Sequence, residues 1–157
     1  MDDSRERKLV ELGFSPECNL KSGAALYTPV VIDGTTAYVS GCVPFDENQK
    51  LISKGKVPTE VSLEEAKVAA RQCAVNILRL LRREVGSLDR VERAVKVLGM
   101  VNSSPDFMEQ HLVINGASQL FIDVLGEAGW HARSAVGMAA LPLGASVEVE
   151  AIFRLKK

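Results

Sequence analysis

One segment constrains this chain more than any other, residues 62–86. Ser62 stands three positions before Glu65, the pairing of a capping box: the serine hydroxyl accepts from the Glu65 N–H while the Glu65 carboxylate reaches back to the Ser62 N–H. Apolar side chains then recur at Leu63, Ala66, Ala70, Cys73, Ile77 and Leu81, and Gly86 supplies a stop. Spacings of three and four predict one long amphipathic helix running to about Val85, with a face that must be buried.

The rest of the chain offers strands to bury it against. Residues 26–32 and 35–40 are β-rich and flank Asp33-Gly34, a strong short-range hairpin signal, and Pro29 puts the first of the two toward a sheet edge or a bulge. Residues 44–58 are polar and turn-rich, a loop with a short strand around 51–52. Residues 91–102 are rich in Val and read as a buried strand, broken by Pro105-Asp106. Asp106 with Glu109 is expected to cap a second helix running to about Gly126 and burying Phe107, Leu112, Leu120, Phe121, Val124 and Leu125. Strands are expected at 133–141 and, after Pro142-Leu143-Gly144, at 146–155, where SVEVEAIF alternates with period two. Residues 4–12 suit a short polar helix stopped by Gly13, capping the domain. The order β-β-(β)-α-β-α-β-β predicts an α+β domain over 1–157, with an N-terminal extension (1–19), a core (20–157), and two helices on one face of a mixed β-sheet. The other face needs a cover, and Val- and Ala-rich strands with few aromatics favour a homo-oligomer.

Several functions lack support. The 157 residues carry a net charge of −1, too little for a bulk pull toward nucleic acid or an anionic membrane. No apolar run reaches the ~18 residues of a membrane helix. The charged start MDDSRERKLVELGF has no apolar signal region, so the expected location is cytoplasmic. Three cysteines without a C-x-x-C pair suit reduced thiols rather than a disulfide framework or zinc site. His111 and His131 have no Cys, Asp or Glu at ligand spacing, so no metal is expected, and no phosphate or dinucleotide loop is present. Cys42 lacks a neighbouring base to make it a thiolate and reads as a packed thiol. Arg71, Arg79, Arg82 and Arg83 share the long helix with Glu64, Glu65 and Glu84 and read as a solvated face.

Two charged positions interrupt the apolar pattern near the end of the chain. Arg133 opens a strand, and Glu148 and Glu150 share one face of the last strand. The pattern fits an exposed ion pair on the sheet, worth about 0.2–1 kcal/mol. It fits equally a guanidinium fork that clamps a substrate carboxylate.

A family resemblance rests on several separated blocks: His131-Ala132-Arg133-Ser134-Ala135-Val136, Leu141-Pro142-Leu143-Gly144-Ala145, Val147-Glu148-Val149-Glu150-Ala151-Ile152 and Tyr38-Val39-Ser40-Gly41-Cys42-Val43-Pro44. Together with Tyr27 and with Asn115 in Ile114-Asn115-Gly116-Ala117, they resemble the Rid (YjgF) family over residues 20–155, and a longer bacterial subgroup of it. The resemblance implies a chorismate-mutase-like fold, a homotrimeric barrel with sites between subunits, and hydrolysis of 2-imino acids to a 2-keto acid and ammonia without a cofactor. It implies that Arg133 binds the carboxylate of the small 2-imino or 2-keto acid and Glu148 handles the attacking water. Tyr27, Ser40, Asn115 and Ala135 would line the pocket. Ala135 stands where the family has cysteine, and Cys42 where it has glutamine. A non-catalytic, carboxylate-binding regulatory trimer is the alternative. The family's endoribonuclease or translation-inhibitor label finds no His pair or basic aromatic surface in this sequence.

Overall fold

The capping chemistry of Ser62 is realised in full. Its hydroxyl accepts from the Glu65 N–H at 3.2 Å, and its own N–H donates to the Glu65 carboxylate at 2.8 Å. The helix that follows, α2, spans Leu63–Val85. The structure, a computed structural model, describes residues 4–20 and 26–157. Ahead of α2 lie α1 (Ser4–Glu11), β1 (Val30–Asp33) and β2 (Thr36–Cys42); after it come β3 (Val91–Asn102), α3 (Gln110–Leu125), β4 (Ala132–Met138) and β5 (Val147–Leu155). The expected strand at 51–52 is reduced to a single bridge between Phe45 and Leu51.

The sheet runs β1-β2-β5-β3-β4, antiparallel throughout except for the parallel pair β3/β4. β1, preceded by Pro29, is indeed an edge. Asp33 pairs with Thr36, so the turn residues are Gly34 and Thr35, and Gly34 takes the positive φ of 58° that a two-residue hairpin needs first. In β5 the alternation sorts the faces: Val147, Val149, Ala151, Phe153 and Leu155 are buried beneath α2 and α3, whereas Glu148, Glu150, Ile152 and Arg154 point the other way. Phe153 meets Phe121 of α3 edge to face, centroids 5.6 Å apart. The two helices touch closely at Gly116, where a Cβ would stand 2.1 Å from the Lys67 carbonyl oxygen. The helix-free face carries Val31, Tyr38 and Ile152 in one row across three strands. Among the described residues no helix is long and apolar enough to cross a membrane.

Two expectations need correction. α3 begins at Gln110, not after Asp106, and its cap position, Glu109, makes no side-chain capping bond. Phe107 enters the core through an irregular turn, and the Gln110 amide donates to its carbonyl at 2.8 Å, so this segment is held by tertiary packing instead of a helical turn. The arginine-bearing side of α2 is solvated only in part: Arg83, Glu64 and Glu84 are exposed, but Arg79 is buried and Arg71 and Arg82 are half-buried. Arg79 is 3% exposed and donates to the Ser15 carbonyl at 2.7 Å and to Glu47 at 2.9 Å. Arg82 pairs with Glu6 and Glu17, Arg71 with Asp123, and Arg83 donates to the Leu20 carbonyl. These contacts tie the N-terminal segment onto α2, while α1 packs against α3 and fully buries Leu9.

Candidate functional site

Arg133 stands on the edge strand β4, opposite Val97 of β3, and therefore on the face that carries the helices. α3 lies alongside and receives its guanidinium: Nη1 donates to Asn115 Oδ1 at 2.8 Å and to Ser118 Oγ at 3.1 Å, and Nη2 donates to the His111 carbonyl at 3.2 Å. Asn115 and Ser118 can do this together because residues three apart share a helix face. All three acceptors are neutral, and Arg133 has no ion pair among the described residues. Of five guanidinium N–H donors, Nε–H and one on Nη2 remain for an incoming group. The exposed ion pair with Glu148 or Glu150 is thereby ruled out: those glutamates occupy the opposite face of the sheet.

Ser118 is itself oriented. His131 Nδ1 lies 2.6 Å from the Gly129 carbonyl, which can only accept, so Nδ1 bears the proton. Burial pulls the His131 pKa below its ordinary value; the Gly129 bond opposes that shift and the Arg133 charge adds to it. The ring is therefore neutral and Nε2 accepts from the Ser118 hydroxyl at 3.0 Å, which leaves the Ser118 lone pairs for Arg133. Sequence reasoning missed Ser118 and gave His131 no part. The i, i+3 spacing of Asn115 and Ser118 was the available signal. Asn115, Ser118, Gln119, Ile122, Trp130 and Arg133, with His131, line an open cleft of about 410 Å³. Ala135, two residues beyond Arg133 on the same face, is half-buried.

The remaining expected residues gather elsewhere. Ser40 donates through its hydroxyl to the Thr28 carbonyl at 2.9 Å and through its N–H to the Pro29 carbonyl at 2.8 Å, fixing the approach of Tyr27. Tyr27, Ser40, Gly41, Cys42, Leu80 and Arg83 border a smaller cavity of about 100 Å³. The pairing of β2 with β5 slips between Val39 and Cys42, and the Glu148 carboxylate reaches into this irregularity from the helix-free face. It lies so close that a Cβ on Gly41 would stand 2.1 Å from Glu148 Oε1. Burial raises the Glu148 pKa, and the like charge of Glu150 raises it further. Cys42 is a buried thiol pushed up to about 12, first by burial and then by Glu148.

Within one chain, then, the expected residues form two groups. Arg133, Asn115 and Ala135 belong to one; Tyr27 and Ser40 belong to the other, with Glu148 set against its Gly41 from the helix-free face. Arg133 and Glu148 are two strands and three residues apart, roughly 14 Å along the sheet at ordinary strand spacings, and on opposite faces. Among the described residues no three His, Cys, Asp or Glu side chains converge as a metal-binding set.

Comparison with known proteins adds to this geometry. The sequence profile of the family described as "YjgF/chorismate mutase-like, putative endoribonuclease" matches residues 6–154. Protein TCP17 of Trypanosoma cruzi is 43% identical over 133 residues, 84% of this chain and 82% of that protein. The crystal structure of Atu1372 from Agrobacterium tumefaciens, a protein of unknown function, is 46% identical with a TM-score of 0.91, covering 98% of this chain and 94% of that one. RidA from an Antarctic Psychrobacter is 27% identical with a TM-score of 0.61, covering 90% of this chain and 97% of that one.

Proposed function

Because the chain belongs to the YjgF/chorismate mutase-like family, we propose that it hydrolyses small 2-imino acids to the 2-keto acid and ammonia, without a cofactor, in a cleft shared between two copies of the chain. The observation that carries this reading is the state of Arg133. Its guanidinium is aimed by three neutral acceptors, has no carboxylate partner among the described residues, and keeps two donors for one. A half-buried arginine arranged in this way on an edge strand is a carboxylate receptor in waiting.

The chemistry asks for little beyond that. Water attacks C2 of the protonated imine while a base takes a proton from the water and then passes it to the nitrogen; the hydroxyl O–H gives its remaining proton to the base as C=O forms, the C–N bond breaks, and ammonia leaves with the electron pair. Glu148 suits the proton-handling role, since burial and the like charge of Glu150 raise its pKa and so make its carboxyl a better proton acceptor that can afterwards donate. Arg133 holds the substrate still while this happens, and orientation supplies much of the rate. Tyr27 and Ser40 would wall the far side.

The separation of the two groups within one chain supports a site closed by a neighbour, as in a homotrimer of this fold. So does the apolar row Val31, Tyr38 and Ile152 on the helix-free face, which a second copy would cover. The cysteines, two of them buried thiols, suit the reducing cytoplasm. The family description also carries an RNA-cleaving label. Against that role here, the α2 arginines that would attract phosphate are engaged by carboxylates or carbonyls.

The test couples the purified protein to a threonine dehydratase and follows trapping of the released imine by semicarbazide. Wild type should deplete the trappable imine and Arg133→Ala should match buffer. If wild type also matches buffer, the reading is wrong.

A further inference from the structure

We infer that Trp130 makes this protein selective for 2-imino acids with a bulky apolar or aromatic side chain. The inference rests on the carboxylate-binding reading of Arg133 and concerns the other end of the same cleft. α3 lines that cleft with Asn115, Ser118, Gln119 and Ile122, spaced i, i+3, i+4 and i+7, a single stripe on one helix face. The stripe changes character along its length. Asn115 and Ser118 hold Arg133; Gln119 is next, its amide nitrogen occupied by Asp123 at 2.8 Å; Ile122 ends it. From Asn115 to Ile122 the helix rises about 10 Å.

Across from the apolar end stands Trp130, 63% exposed. Its backbone is held by Arg93, which donates to its carbonyl at 3.1 Å, and by its own N–H donating to Glu127. A large indole fixed at its backbone and open on its surface is a seat for another apolar group. The residues at this end offer no free charge, since both nitrogens of His131 are taken by Gly129 and Ser118. Arg93, the cation nearest this end, does not line the cleft and is turned to the Ala94 and Trp130 carbonyls, so a second carboxylate on the substrate meets no lining cation here.

Length decides between the remaining candidates. With its carboxylate on Arg133, an extended four-carbon imino acid spans about 4 Å and stops short of the apolar end. A phenyl side chain extends the molecule to about 7 Å, past Ser118 and toward Trp130 and Ile122. The cleft, about 410 Å³, has room for it.

Trp130 is the single tryptophan of the chain, so its emission reports directly on this end of the cleft. The experiment titrates the full-length protein with pyruvate, 2-oxobutanoate, 2-oxoglutarate and phenylpyruvate, the stable product analogues, by calorimetry and by Trp130 fluorescence. Phenylpyruvate should bind about tenfold or more tighter than pyruvate and change the emission most, while 2-oxoglutarate gains nothing over 2-oxobutanoate. Trp130→Ala should erase the preference, bringing phenylpyruvate down to the affinity of pyruvate, and Trp130→Phe should keep most of it. If the keto acids bind with equal affinity, or the preference survives in Trp130→Ala, the inference is overturned and the reading of Arg133 stands. If none of them binds wild type, both fall.

Discussion

Replacing Gly41 by Ala should disarm the protein without unfolding it. Gly41 does not have a positive φ, so its backbone accepts a side chain. The added Cβ, however, would stand 2.1 Å from Glu148 Oε1 and 3.0 Å from its Cδ, where ordinary contact begins at 3.4 Å. The carboxylate oxygen must therefore retreat by about 1.3 Å, and a misplacement of ~1 Å at a reacting group costs on the order of a hundredfold in rate. Because the displaced atoms are the far end of a flexible side chain, the stability cost should stay within about 1 kcal/mol. The assay compares kcat/KM in the dehydratase-coupled system, thermal melting, and calorimetric affinity for 2-oxobutanoate. We expect kcat/KM to fall about a hundredfold, melting to change little, and keto-acid affinity to survive, since Arg133 lies in the other group. A variant that folds and keeps kcat/KM within threefold of wild type would refute the idea that Gly41 seats a working Glu148.

Three further outcomes follow from the same structure. Folded Glu148 holds its proton more tightly than the unfolded chain does, so its contribution to stability is full below the ordinary value of 4.5 and is lost as pH rises through the raised one. Glu148→Gln should thus melt higher than wild type by a margin that opens with rising pH and closes in acid; a margin independent of pH contradicts this. Ser118→Ala removes an acceptor from Arg133 and a donor from His131 Nε2. It should raise KM about tenfold at nearly constant kcat, with Ser118→Thr restoring it, and an unchanged KM would deny Ser118 a positioning role. Arg79→Ala strips a buried charged donor from the Ser15 carbonyl and should cost about 1.5–3 kcal/mol, little of it from the exposed Glu47. Urea melts give the cost, and faster hydrogen exchange over residues 14–20 should accompany it; exchange unchanged there would show that the segment is held otherwise.

What could be read in advance was whatever local chemistry decides. The capping box and Gly86 set α2 within a residue, and the period of two in 147–155 gave both the strand and the shared face of Glu148 and Glu150. The start of α3 was not legible, because Asp106 and Glu109 have the residue types of a cap while Phe107 is drawn into the core by packing that only the folded chain supplies. The α2 arginines were misread for a similar reason. Their partners Glu6, Ser15, Glu17, Glu47 and Asp123 are dozens of residues away, and no periodicity on the helix announces them. For the site, motif resemblance supplied the residue names. It did not reveal that β3 and β5 lie between Arg133 and the Ser40 region, since nothing in the two final strands says that they do not pair with each other.

That separation of Arg133 and Glu148 onto opposite faces has a genetic consequence. If each cleft takes its receptor from one copy and its proton carrier from the next, two alleles that are each dead should rescue one another. In rings assembled at random from equal parts of Arg133→Ala and Glu148→Gln chains, about a quarter of the clefts would receive both intact halves. Conversely, one chain lacking both residues would silence two neighbouring clefts at once, so a defective copy would be felt beyond its own share of the assembly.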